Sequence, residues 1–176
     1  NTGSIFVEGN ENISRVNQLG RDNVATIDII EASDGNVVRT DQSGRENNSA
    51  IDVESGSCGK NAFVTQDGVT NISTVEVMSG SSENTVSVSQ EGTGNISSVL
   101  QGRGSSAFDS DVIVNQVGQN TSGVVQVNPT RGFVNVSQDG SGNISTVQQA
   151  GTDNEVIVSQ LDEGNVSDVL QQFGNG

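Results

Sequence analysis

One unit recurs along this chain, most cleanly at Asn84–Gln101, NTVSVSQEGTGNISSVLQ. Read with a period of two, Val86, Val88 and Gln90 share one face. A Glu-Gly-Thr-Gly turn follows, and Asn95, Ser97, Val99 and Gln101 share a face of the next segment. Alternation built on β-branched residues specifies strands. A strand–turn–strand unit this short cannot bury its inner face alone and must stack on copies of itself.

The copies follow an asparagine that opens the second strand of each unit, at Asn12, Asn36, Asn71, Asn95, Asn120, Asn143 and Asn165. All but the Asn71 copy, which has Val77, place a glutamine six residues later. First strands have inward candidates Ile27-x-Ile29-x-Glu31, Ala62-x-Val64-x-Gln66, Val86-x-Val88-x-Gln90, Val112-x-Val114-x-Gln116, Val134-x-Val136-x-Gln138 and Val156-x-Val158-x-Gln160. Glycine, aspartate and serine fill the intervening turns, where positive φ is needed. The asparagines are 22 to 25 residues apart except for one interval of 35, from Asn36 to Asn71. That interval holds Ser49–Ser55, whose Ile51 and Val53 resemble a first strand without a partner. It reads as a half-repeat insertion at residues 48–60, or as a point where strand roles exchange. Ile5 and Val7 resemble a shortened first strand.

The expected fold is all-β, a β-solenoid of about seven strand–turn–strand repeats in two parallel stacked sheets, with residues 1–176 as a single repeat domain. Hydrophobic residues are only 31% of the chain and aromatics 3%, too few for a conventional core of large side chains. Stacking resolves this. Strands about 4.8 Å apart put like over like, so Val and Ile form apolar ribs while each Gln or Asn amide donates to the next, which makes their burial tolerable. The inner-face ladder residues are Asn12, Gln18, Asn36, Gln42, Gln66, Asn71, Gln90, Asn95, Gln101, Gln116, Asn120, Gln126, Gln138, Asn143, Gln149, Gln160, Asn165 and Gln171. Glu31 takes the place of the first glutamine in the Asn36 unit.

A net charge of −15 disfavours nucleic acid and anionic membranes as partners. No apolar run is long enough for a transmembrane helix. The start, NTGSIFVEGN, lacks the basic and apolar regions of a signal peptide, and the chain reads as a mature one from which a leader could have been removed. Lone Cys58 cannot form an internal disulfide and reads as a loop thiol. With no His, no nucleophile–base pair, no phosphate loop and no GGxGxD calcium motif, neither catalysis nor a cofactor or metal site is expected. Loose divalent binding between acidic faces of neighbouring subunits is an open alternative to plain solubility. Asn-x-Ser/Thr at Asn12, Asn47, Asn71, Asn95, Asn120, Asn135, Asn143 and Asn165 is read mostly as a by-product of the repeat. An apolar residue follows the key asparagine on the outward face (Ile13, Val37, Ile72, Ile96, Ile144, Val166), either as corner packing or as a lateral contact stripe.

The strings Gln90-x-Gly92-x-Gly94-Asn95-x5-Gln101 and Gln138-x-Gly140-x-Gly142-Asn143-x5-Gln149 resemble the curlin repeat of curli fibre subunits. The resemblance implies a secreted, extracellular structural protein that polymerises with itself into a cross-β fibre of a biofilm matrix. A nucleator subunit and secretion machinery are implied as further partners. Neither end carries an obvious cap, so end layers are expected to pair with other copies. The alternatives are a monomeric β-solenoid adhesin, an ice- or surface-binding module, or a fibre nucleator.

Overall fold

The computed structural model describes residues 1–30, 34–54, 59–78, 81–103 and 107–174. They form a β-solenoid without helices. The front sheet contains β1 (Thr2–Val7), β3 (Val24–Ile29), β5 (Asn48–Val53), β7 (Ile72–Val77) and β10 (Ile96–Arg103), then the second halves of β12 (Asp111–Thr130) and β13 (Phe133–Thr152), and last β15 (Val166–Gly174). The back sheet stacks β2 (Ile13–Arg21), β4 (Val37–Arg45), β6 (Asn61–Val69) and β9 (Thr85–Thr93) on the first halves of β12 and β13, ending with β14 (Glu155–Glu163). Every pairing is parallel. Short β8 (Ser81–Ser82) and β11 (Ala107–Phe108) pair beside the main stack.

Like residues ride over like. In the back sheet Ala62, Val86, Val112, Val134 and Val156 form one rib and Val64, Val88, Val114, Val136 and Val158 another. In the front sheet Ile27, Ile51, Val75, Val99, Val124 and Val147 do the same. These ribs meet in one buried apolar cluster. A narrow two-sheet rod buries enough area this way because each small side chain is sealed by its twins above and below.

The strand roles expected for the first third of the chain are corrected by the pairing. Ile27 and Ile29 stack on Ile51 and Val53 and then on Val75 and Val77, in the front sheet, not with Ala62 and Val64. Residues 48–53 are no half-repeat, for β5 pairs along its whole length with β3 on one side and β7 on the other. The interval of 35 arises because Asn36 precedes a back strand and Asn71 a front strand. True stacking partners are Asn1, Asn23, Asn47, Asn71, Asn95, Asn120, Asn143 and Asn165, spaced 22 to 25 residues throughout.

Corners from back to front strands are sharp. Gly44 has φ +105°, and a Cβ there would lie 2.0 Å from the carbonyl oxygen of Gly68 in the next level. The column Gly20, Gly44, Gly68, Gly92, Gly118, Gly140 is thus required both by dihedral and by space.

Candidate functional site: amide ladders and open tips

The back sheet carries one amide ladder along its whole height. Gln18 Nε2 donates to Gln42 Oε1 at 2.8 Å, Gln42 to Gln66 at 2.8 Å, Gln66 to Gln90 at 2.8 Å, Gln90 to Gln116 at 2.9 Å, Gln116 to Gln138 at 2.9 Å and Gln138 to Gln160 at 2.7 Å. Each amide has a second hydrogen, given to a backbone carbonyl of the opposite sheet: Gln42 to Val24, Gln66 to Asn48, Gln90 to Ile72, Gln160 to Ile144. The ladder therefore also staples the two sheets together.

A second ladder occupies half of the front sheet. Gln101 donates to Gln126 at 3.0 Å, Gln126 to Gln149 at 2.8 Å and Gln149 to Gln171 at 3.2 Å. Below Gln101 the same column is aliphatic: Val77, Val53, Ile29, Val7. At that step the buried Gln101 Oε1 has no hydrogen-bond partner. Every glutamine-to-glutamine bond donates one way, from the first residues of the chain towards the last.

Asparagines pin the corners. In the front column the Oδ1 of Asn23, Asn47, Asn71, Asn95, Asn120 and Asn143 accepts the backbone N–H of the asparagine one level on, at 2.9 to 3.2 Å. Their Nδ2 atoms hold turn carbonyls; Asn47 donates to Ser43 at 2.9 Å and Gly68 at 3.1 Å. Asn12 and Asn36 belong to a separate column beside the back sheet, in which Asn36 N donates to Asn12 Oδ1 at 3.0 Å. That column continues as Lys60, Asn84, Ser110, Gly132 and Asn154. Asn1, Asn23, Asn47, Asn84 and Asn154 are ladder members that the sequence reading passed over, although each stands one residue before a strand. Lys60 is fully buried, its Nζ donating to the carbonyls of Met78 at 2.7 Å and Val77 at 3.3 Å. The buried Asn47, Asn71, Asn95, Asn120 and Asn143 have no room for a sugar. Glu31 and Cys58 lie outside the described residues.

Outside, Ile72, Ile96 and Ile144 are 42 to 45% exposed and share a front column that Thr121 interrupts; Ile13 and Val37 stand in the back sheet. Charges also stack. Asp28, Asp52 and Glu76 are in register, and burial, then Asp28, then Glu54, push the Asp52 carboxyl up. Arg131 grips Asp153 of the next level with two bonds, at 2.5 and 2.7 Å, and holds that carboxyl below its usual range.

The first and last levels are open. Among the described residues β1 and β2 pair on one side only, as do β14 and β15. Ile5 and Val7 point inward yet are 46 and 41% exposed, because nothing covers them. At the other tip Asp162, φ +68°, stands in the glycine column over Gly140. That end thus carries a charged residue at the corner, a feature absent from the sequence-based expectation.

These features define a class: parallel β-solenoids sealed by internal amide ladders, with unpaired strands at both ends. The curlin associated repeat family matches residues 133–161, the span from the first residue of β13 into β14. That stretch is similar to a curlin repeat, and such a repeat in a β-solenoid fits a curli-like structural subunit. No curated protein and no solved structure matches the chain. No helix among the described residues is long and apolar enough to cross a membrane.

Proposed function

We propose that the chain is a building block of a secreted, extracellular amyloid-like fibre of a biofilm matrix, growing end to end through its open tips. The observation that supports this most is the pair of unsatisfied edges combined with glutamine ladders that run one way. One tip ends in amide donors, Gln160 and Gln171; the other begins with the acceptor Gln18 Oε1, which takes no bond among the described residues. Donor tip and acceptor tip are complementary, so addition of a copy extends the ladder with its direction kept. A parallel β-edge without protection is a template for further strands. A nucleator and secretion machinery are the other partners this reading carries.

The test is direct. Purified chain, incubated at neutral pH, should lose its monomer peak in size exclusion and yield fibres by electron microscopy, with meridional diffraction near 4.8 Å. A persistent monomer would favour a solitary binding module.

A further inference from the structure

We infer that successive copies meet with a half-turn about the rod axis, so that β2 of the incoming copy lands on β15 and its β1 on β14. This rests on the end-to-end reading above and names the geometry of its junction.

Strand parity comes first. The described residues place eight strands in the front sheet (β1, β3, β5, β7, β10, half of β12, half of β13, β15) and seven in the back. Without rotation, β1 set on β15 leaves the incoming β2 two levels from β14, a gap of about 9.6 Å where about 4.8 Å is needed. Setting β2 on β14 instead drives β1 into the level β15 occupies. A half-turn exchanges front for back and fills every level.

The residues then agree. At one constant offset of 153, Asn12, Ser14, Val16 and Gln18 fall on Asn165, Ser167, Val169 and Gln171. Gln171 Nε2 meets Gln18 Oε1, continuing the front ladder in its own direction. On the outer face Ile13, 63% exposed, covers Val166, 74% exposed. Arg15 falls on Asp168, as Arg131 lies on Asp153 inside the rod. Neither Arg15 nor Asp168 has an ion-pair partner among the described residues, and Arg15 otherwise stacks on Arg39. Gln160 meets Val7, an amide against an aliphatic side chain as at Gln101 and Val77 but in the reverse order, and keeps one donated bond, to the Ile144 carbonyl.

The corner agrees as well. The turn after β1 has Gly9 at φ +108° and Glu11 at +57°, the same pair as Gly20 (+106°) and Asp22 (+58°) at a back-to-front corner. The half-turn seats it on the back-to-front corner between β14 and β15.

Cysteine pairs on a Cys58→Ser background test the junction. Within one copy residues 17 and 170 lie at opposite tips, about 30 Å apart at strand spacing, so any disulfide between them joins copies. In the half-turn junction Asn17 faces Leu170; without rotation Phe6 faces Leu170. Fibres of the Asn17→Cys/Leu170→Cys chain should oxidise to ladders of covalent oligomers on a non-reducing gel, and those of Phe6→Cys/Leu170→Cys should not. The reverse pattern, or fibres in which neither pair links, overturns the half-turn and leaves the fibre standing. If neither chain forms fibres while the Cys58→Ser parent also stays monomeric, the end-to-end reading falls and takes this inference with it. As a second readout, Arg15→Asp should slow elongation several-fold and Asp168→Arg in the same chain should restore it; no rescue counts against the pairing.

Discussion

Removing one rung of the back ladder should cost far more than removing its first residue. Gln90 is buried and makes three bonds: its amide donates to Gln116 Oε1 and to the Ile72 carbonyl, both at 2.9 Å, and accepts from Gln66 at 2.8 Å. Gln90→Ala deletes all three and strands the Gln66 hydrogen and the Gln116 oxygen in a site closed by neighbouring rungs. At about 1 kcal/mol net per bond, plus about 1–3 kcal/mol for each buried orphan, the loss is about 4–6 kcal/mol, allowing for overlap between the two. Gln18→Ala, at the open tip, removes two donated bonds and strands groups that water can reach, for about 1–2 kcal/mol. Urea unfolding of freshly desalted monomer, followed by far-ultraviolet circular dichroism, measures both. Replacing Gln66, Gln90 and Gln116 together by Leu should cost well under three times Gln90→Leu, because a contiguous block still interrupts the ladder at only two ends. If Gln90→Ala proves no costlier than Gln18→Ala, the ladder does not hold the rod together and the reasoning fails.

Gly68→Ala, whose Cβ would sit 1.9 Å from the Gly92 carbonyl oxygen, should prevent folding, whereas Gly164→Ala, with nothing within 4 Å, should cost about 1 kcal/mol; equal effects in the same unfolding assay would remove space as the reason for the glycine column. The raised Asp52 pKa means that the folded chain keeps a proton the unfolded chain has released, so this group's contribution declines as pH rises from about 3.9 through the folded value. Asp52→Asn should therefore melt above the parent at pH 7, with the gap closing near pH 3; a gap constant with pH would contradict the assignment. Asp162→Gly should shorten the lag and speed elongation in a dye-binding assay, since it returns glycine to the corner that an incoming copy must cover; slower growth would argue that Asp162 contributes to the contact instead.

The inward sets were legible because two residue classes, β-branched and amide, alternate with period two. Sheet membership was not. Front and back strands obey the same inward rule, so Asn12-Ile-Ser-Arg-Val-Asn-Gln looks like Asn165-Val-Ser-Asp-Val-Leu-Gln although β2 lies in the back sheet and β15 in the front. What separates the sheets is the corner. Back strands leave through Gln-x-Gly-x-x-Asn, as in Gln18–Asn23, Gln42–Asn47, Gln66–Asn71 and Gln90–Asn95, where each glycine abuts the carbonyl of the next. Front strands between Ile29 and Ser110 are followed by longer stretches of sequence, as from Ile29 to Asn36. Read for corners, Asn23, Asn47 and Asn71 follow one another at 24 residues and the irregular interval vanishes. Grouping by the likeness of Asn12 and Asn165 instead placed β2 on the wrong face, and that likeness has a physical meaning of its own. Val7-x-Gly9-x-x-Asn12 is a back-type corner at the front of the rod, and on the half-turn inference it is this corner that seats on the one between β14 and β15.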